Sequence, residues 1–307
     1  RGAVKDFLGF SAGRDADAIR KAIKGLGTDE DSLINILTQR SNAQRQLIVK
    51  EYQAACGKEL KDDLKGDLSG NFEHIMVSLI LPPAYFDAKQ LKKAMKGTGT
   101  AESILIEILA SRTSKQMKEV GDAYYTAESS GTSALCGKYK LINIPTLLSN
   151  HMQKLTSHVL FLFLDLYNAG EKKWGTDEDK FIEVLCLRSF PQLKLTFDAY
   201  KSICNKDIED SITSEMSGHL EDLLIAIVNC ARNMPAFFAK RLHKALKGAG
   251  TDEYTLTRIM VTRSEIDLLD IRTEYKKLAG YSLHSAIKSD TSGDYEATLV
   301  KLCGGDD

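Results

Sequence analysis

The sequence predicts an all-α fold of four stacked five-helix modules. Three observations carry this: a glycine-rich stretch that occurs four times, further markers that keep step with it, and an almost complete lack of β alternation. The stretch runs Gly25-Leu26-Gly27-Thr28-Asp29-Glu30, then Gly97-Thr98-Gly99-Thr100-Ala101-Glu102. It returns as Lys173-Trp174-Gly175-Thr176-Asp177-Glu178 and as Gly248-Ala249-Gly250-Thr251-Asp252-Glu253. With each Thr as origin, an Arg follows at twelve residues (Arg40, Arg112, Arg188, Arg263) and a Tyr at twenty-four (Tyr52, Tyr124, Tyr200, Tyr275). A carboxylate opening an acid-x-Ser-Gly tetrad follows at thirty-nine: Asp67, Glu215 and Asp290. In the second module Tyr139 stands at that place.

In module one, Ala16, Ile19, Ala22 and Ile23 fall at helical spacing and mark the first helix. Gly25 and Gly27 break it into a tight loop. Thr28 is expected to N-cap the second helix, with Asp29 and Glu30 favoured near the positive end of its dipole. That helix buries Leu33, Ile34, Ile36 and Leu37 and ends near Arg40. A third carries Leu47, Ile48 and Tyr52, a short fourth spans residues 59–64, and a fifth follows Ser69-Gly70 with Phe72, Ile75, Met76 and Leu79. The origin threonines are spaced by 72, 76 and 75 residues, as similar stacked modules require. The modules are assigned to 1–81, 82–152, 153–232 and 233–307, with prolines in two of the linkers, Pro82-Pro83 and Pro235.

Register is lost in module two after about residue 126 and returns at Tyr167. Residues 127–166 hold Cys136, Pro145 and an apolar run, Val159 to Leu164. Two readings stand: a divergent segment that still forms helices, or a product of altered splicing. The run is too short to span a bilayer.

The chain has 307 residues, with 41 Lys and Arg against 42 Asp and Glu. This near balance supplies no basic field for nucleic acid or membrane, so an anionic partner must be reached through local sites or bound metal. Six cysteines lack CxxC spacing and read as buried thiols of a reducing compartment. No signal peptide opens the chain, and its start at Arg1 leads us to expect a missing N-terminal arm.

The loops match neither a P-loop nor a strand-borne GxGxxG, and no EF-hand loop is present. Glycines can instead turn carbonyl oxygens inward, and a carboxylate from a distant loop adds two more. Such an oxygen-only set suits Ca²⁺. One carboxylate leaves each site near +1, with affinity toward roughly 10⁻⁴ M. Three sites would give about +3 against anionic headgroups.

The repeated glycine loops, the Arg at twelve and the tetrad at thirty-nine resemble the annexin core, over roughly residues 1–126 and 167–307. The resemblance implies four five-helix modules in a curved disc, with calcium sites binding phosphatidylserine-type membranes. It also implies a cytoplasmic protein, peripheral to membranes when calcium rises, and phospholipase A2 inhibition by covering the lipid substrate. Carried over by position, the ligands are carbonyls of Ile23, Gly25 and Gly27 with Asp67, and of Gly170, Lys173 and Gly175 with Glu215. In module four they are Leu246, Gly248 and Gly250 with Asp290. Module two offers Met95, Gly97 and Gly99 but no carboxylate. Trp174, at a loop tip, is the expected membrane contact.

Bland roles compete with these. Asp67, Glu215 and Asp290 could be N-caps of the fifth helices, and Thr28 and its equivalents caps alone. The tyrosines, Met76 and Met260 read as core, and the arginines as ties to helix-end carbonyls within each module. The six histidines show no metal spacing, so the chain is read as no enzyme, although the resemblance raises phosphoesterase activity. A helical scaffold for protein partners is the second function class, and those partners are not legible.

Overall fold

A computed structural model describes residues 1–24, 27–96, 101–129, 178–248 and 250–305, excluding the side chains of 126–129, 178–181 and 187. Among the described residues there are sixteen helices and no strand. No helix there is long and apolar enough to cross a membrane. The segment 130–177, with most of the out-of-register stretch and Tyr139, lies outside the described residues.

Module one shows the expected five helices: α1 (Ala12–Lys24), α2 (Glu30–Thr38), α3 (Asn42–Cys56), α4 (Leu60–Asp67) and α5 (Gly70–Leu79). The apolar face of α1 is buried as its spacing requires, with Ala16, Ile19, Ala22 and Ile23 all inside. In α2, Leu33, Ile34 and Leu37 are buried, whereas Ile36 is only half-buried. Ser41 and Gln44 form a reciprocal capping box that starts α3, and Gly57 ends it in a left-handed conformation at φ 66°. Ile48 and Tyr52 turn inward from α3, while Leu47 faces solvent. Helix α4 runs three residues beyond its expected end, so Asp67 is its last residue.

Module two gives α6 (Pro83–Met95), α7 (Glu102–Ser111) and α8 (Ser114–Ser129). Pro83 opens α6, where its missing N–H costs nothing. Module three gives α9 (Glu178–Leu187), α10 (Phe190–Cys204) and α11 (Ile208–Glu215). The run α12 (Gly218–Leu246) breaks at Asn233, whose φ of −155° and ψ of 89° are not helical, two residues before Pro235. Module four completes the chain with α13 (Glu253–Arg263), α14 (Leu268–Ala279), α15 (Leu283–Asp290) and α16 (Gly293–Cys303).

The chain forms two compact units, Arg1–Phe86 with Pro235–Asp307, and Asp87–Met234. In the first, α2 packs on α16, and α5 packs on α13 and α16, so modules one and four share a core. Its fully buried residues include Leu33, Leu37, Ile75, Ile259, Leu299 and Leu302, each contributing about 1.5–3 kcal/mol on burial. Arg45 and Glu265 pair across the same seam at 3.0 Å. Burial brings the Arg45 guanidinium down to about 10, against the opposing pull of Glu265. In the second unit Ile108, Val184, Leu193, Phe197, Ile212 and Leu224 are buried, while Ile104, Leu105 and Leu109 are half-buried.

Arg40, Arg112 and Arg263 stay inside their modules, but their partners correct the sequence reading. Arg40 grips Asp15 through two nitrogens at 2.6 and 3.0 Å, and Arg112 grips Asp87 at the same two distances. These are buried carboxylates rather than helix-end carbonyls. In module four Phe238 stands at the place of Asp15 and Asp87, and its ring lies 4.6 Å from the Arg263 guanidinium carbon. Arg263 takes Asp267 instead, at 2.8 and 2.5 Å. Modules one and two hold Gln44 and Gln116 at the place of Asp267. Arg40, Arg112 and Arg263 thus each keep one bidentate carboxylate, supplied from either of two positions, whereas module three has Phe163 and Gln192 at those places and carries neither.

Three of the four repeated tyrosines are core, as expected: Tyr52, Tyr200 and Tyr275 are fully buried, as are Met76 and Met260, whereas Tyr124 is half-buried. The Tyr52 hydroxyl donates to Asp63 at 2.7 Å, and the Tyr200 hydroxyl bonds Ser211 at 2.9 Å, eleven residues on in both modules.

Candidate metal centres

Each described loop is closed by one backbone bond of the same register. Asp29 N–H donates to the Ala22 carbonyl at 2.9 Å, Ala101 N–H to Ala94 at 3.0 Å, and Asp252 N–H to Ala245 at 2.9 Å. The closed segment contains every loop position whose carbonyl is proposed as a ligand. Its glycines adopt backbone angles that side-chain residues avoid: φ 88° at Gly27, 151° at Gly248 and 111° at Gly250.

The helix after the loop is not capped by the Thr. Asp29 accepts from Ser32 N–H at 3.0 Å, and Asp252 from Thr255 N–H at 3.0 Å. Hydrogen bonds from the Ser32 hydroxyl and backbone hold the Asp29 carboxyl below its ordinary range. Asp is the stronger N-cap of the two adjacent residues, and the chain enters the helix one position later than expected. In module two the cap position is Ala101, without a side-chain bond. Thr251 does something else: its hydroxyl donates to the Asp290 carbonyl at 3.0 Å. The glycine loop and the carboxylate segment of module four are therefore bonded to each other.

The three carboxylates are not N-caps. Asp67, Glu215 and Asp290 are the last residues of α4, α11 and α15. The N-cap positions of α5 and α16 belong to Ser69 and Ser292, which make no side-chain cap bond there. Gly70, Gly218 and Gly293 follow in left-handed conformations at φ 62°, 67° and 64°, which explains the glycine of each tetrad. A carboxylate at a helix C-terminus opposes the dipole by about 0.3–1 kcal/mol. Asp67 and Asp290 are exposed and Glu215 half-buried. These placements cost stability in three modules.

Of the other residues expected at the sites, Ile23 is the last but one of α1 and Leu246 the last of α12, both with buried side chains, which leaves only the backbone for coordination, and Met95 closes α6 half-buried. Gly25, Gly97, Gly99, Gly170, Lys173, Trp174 and Gly175 lie outside the described residues. Among the described residues no three His, Cys, Asp or Glu side chains assemble a metal cage. A cation held there would depend on one carboxylate and backbone oxygens, a donor set that fits a hard ion such as Ca²⁺ and not Zn²⁺. The five described cysteines are free thiols.

The annexin family profile matches the chain at residues 14–79, 86–130, 163–227 and 237–302. Annexin A3 of Bos taurus and of Homo sapiens are each 66% identical over 315 residues, covering 100% of this chain and 98% of the relative. The solved structure of annexin III is 64% identical with a TM-score of 0.89, covering 100% of this chain and 98% of that one. A calcium-bound structure of annexin (Sm)1 is 34% identical with a TM-score of 0.82, covering 99% and 93%.

Proposed function

The chain belongs to the annexin family of calcium-dependent phospholipid-binding proteins, and from that premise we propose that it docks on anionic membranes through calcium held at Asp67, Glu215 and Asp290. Each carboxylate would give two oxygens, and the carbonyls of the glycine loop earlier in the same module would give the rest. The open coordination positions would take lipid phosphate, so calcium supplies the positive charge that a nearly neutral chain lacks. The observation that carries this reading is the repeated carboxylate at a helix C-terminus, beside a left-handed glycine, where folding alone disfavours it. The sites of module three, with Trp174 as a membrane contact, follow by repeat equivalence. A phosphatidylserine-type surface is the partner this chemistry favours. Covering such a surface would withhold lipid from phospholipase A2, and a protein acting on calcium signals in this way would work in the cytoplasm.

Co-sedimentation with phosphatidylserine vesicles tests the proposal. The protein should pellet with calcium, stay in solution with a chelator, and ignore phosphatidylcholine vesicles. Pelleting that survives the chelator would favour a scaffold that binds lipid or protein without metal.

A further inference from the structure

The loops of modules one and four are built alike up to a point. Both are closed by the backbone bond from the residue after the Thr, at 2.9 Å, and both have an Asp side chain capping the next helix at 3.0 Å. Module four has a third constraint, the Thr251 hydroxyl donating to the Asp290 carbonyl at 3.0 Å. Thr28, its equivalent, makes no such bond to Asp67 among the described residues. The Asp290 carbonyl is one of the last-turn acceptors that a helix leaves without an internal donor, so this tie satisfies it while joining the two halves of the site.

The geometry points to Thr251 as a positioning residue: its hydroxyl holds the end of α15 against the glycine loop before metal arrives and sets the calcium affinity of module four above that of module one. This rests on the calcium reading above. A site whose two ligand-bearing segments are already bonded loses less conformational freedom on closing around the ion. The tie touches the carbonyl of Asp290 and not its carboxylate. Module one must bring Asp67 to its loop without that help.

The test uses a background of Asp67→Asn and Glu215→Gln, in which module four alone keeps its carboxylate. The readout is the calcium concentration for half-maximal pelleting with phosphatidylserine vesicles. Thr251→Val, which keeps the shape and loses the donor, should raise that midpoint about 3- to 10-fold, whereas Thr251→Ser should stay within about twofold. In the reciprocal background of Glu215→Gln and Asp290→Asn, Thr28→Val should leave the midpoint where it was. Recovery by Ser separates positioning from a packing defect, which the lost methyl group would also cause. The idea is overturned if Thr251→Val changes nothing while Asp290→Asn still abolishes binding, if Ser is as poor as Val, or if Thr28→Val costs as much as Thr251→Val. Indifference of the unsubstituted protein to calcium would overturn the membrane reading as well.

Discussion

Converting all three helix-end carboxylates to amides, Asp67→Asn with Glu215→Gln and Asp290→Asn, should separate binding from folding because the two effects have opposite signs. Each carboxylate sits on the last residue of its helix, against the negative end of the dipole. Removing the charge relieves about 0.3–1 kcal/mol per helix. One local loss offsets part of this, the Ser289 hydroxyl that donates to Asp290 Oδ1 at 3.1 Å. The metal-free variant should therefore melt at or slightly above the temperature of the parent protein. Binding moves the other way. Each emptied site withdraws about one net positive charge, worth about 1 kcal/mol at an anionic surface. Three together give about 3 kcal/mol, a factor of about 150 before any loss of direct lipid coordination. The assays are calorimetry in chelator and vesicle co-sedimentation across a calcium series. An unchanged calcium midpoint would refute the ligand assignment. A melting temperature lowered by several degrees would show that the carboxylates serve the fold.

Three further outcomes follow from the same contacts. Asp87→Phe should strand the buried Arg112 and cost about 3–5 kcal/mol in urea unfolding. Adding Gln116→Asp recreates the arrangement of Phe238, Arg263 and Asp267 and should recover much of that loss; a double variant no better than the single would refute the exchange. Burial pushes the Cys186 thiol up from 9.0 to about 11. The stability tied to its neutral form is thus complete below pH 9 and lost as pH rises toward 11, because the unfolded thiol ionises first. Iodoacetamide at pH 8 should label native Cys186 about a hundredfold more slowly than the unfolded chain, and equal rates on peptide mapping would count against this. Trp174 should become accessible to bilayer-embedded quenchers only with calcium and anionic vesicles, and Glu215→Gln should remove that response while Asp290→Asn spares most of it. Persistent shielding at saturating calcium and lipid would place the indole outside the membrane.

The helices of module one were legible because apolar spacing reports burial directly: Ile19, Leu33, Ile48 and Ile75 all face the core that periodicity assigns them. Pairings between helices were not. The Arg at twelve residues was visible as a repeat, but Asp15 lies twenty-five residues before Arg40, and nothing local says that α1 brings it there. Comparing modules could have found it, since Asp at one place with Gln at the other becomes Phe with Asp in module four. A repeated chain acts as its own alignment, and among modules one, two and four the exchange preserves charge balance rather than side-chain identity, while module three has Phe163 and Gln192 at the two places. The site divides along the same line. The thirty-nine-residue spacing from Thr to carboxylate could be read from the text, but what holds it constant could not. In module four the two ends of that interval are in contact through the Thr251 hydroxyl, a tie that module one lacks among the described residues at the same spacing. The Thr is not the cap because Asp252 beside it, a stronger capping residue, accepts from Thr255 N–H. Sequence types name the candidates; the contact across thirty-nine residues assigns the role.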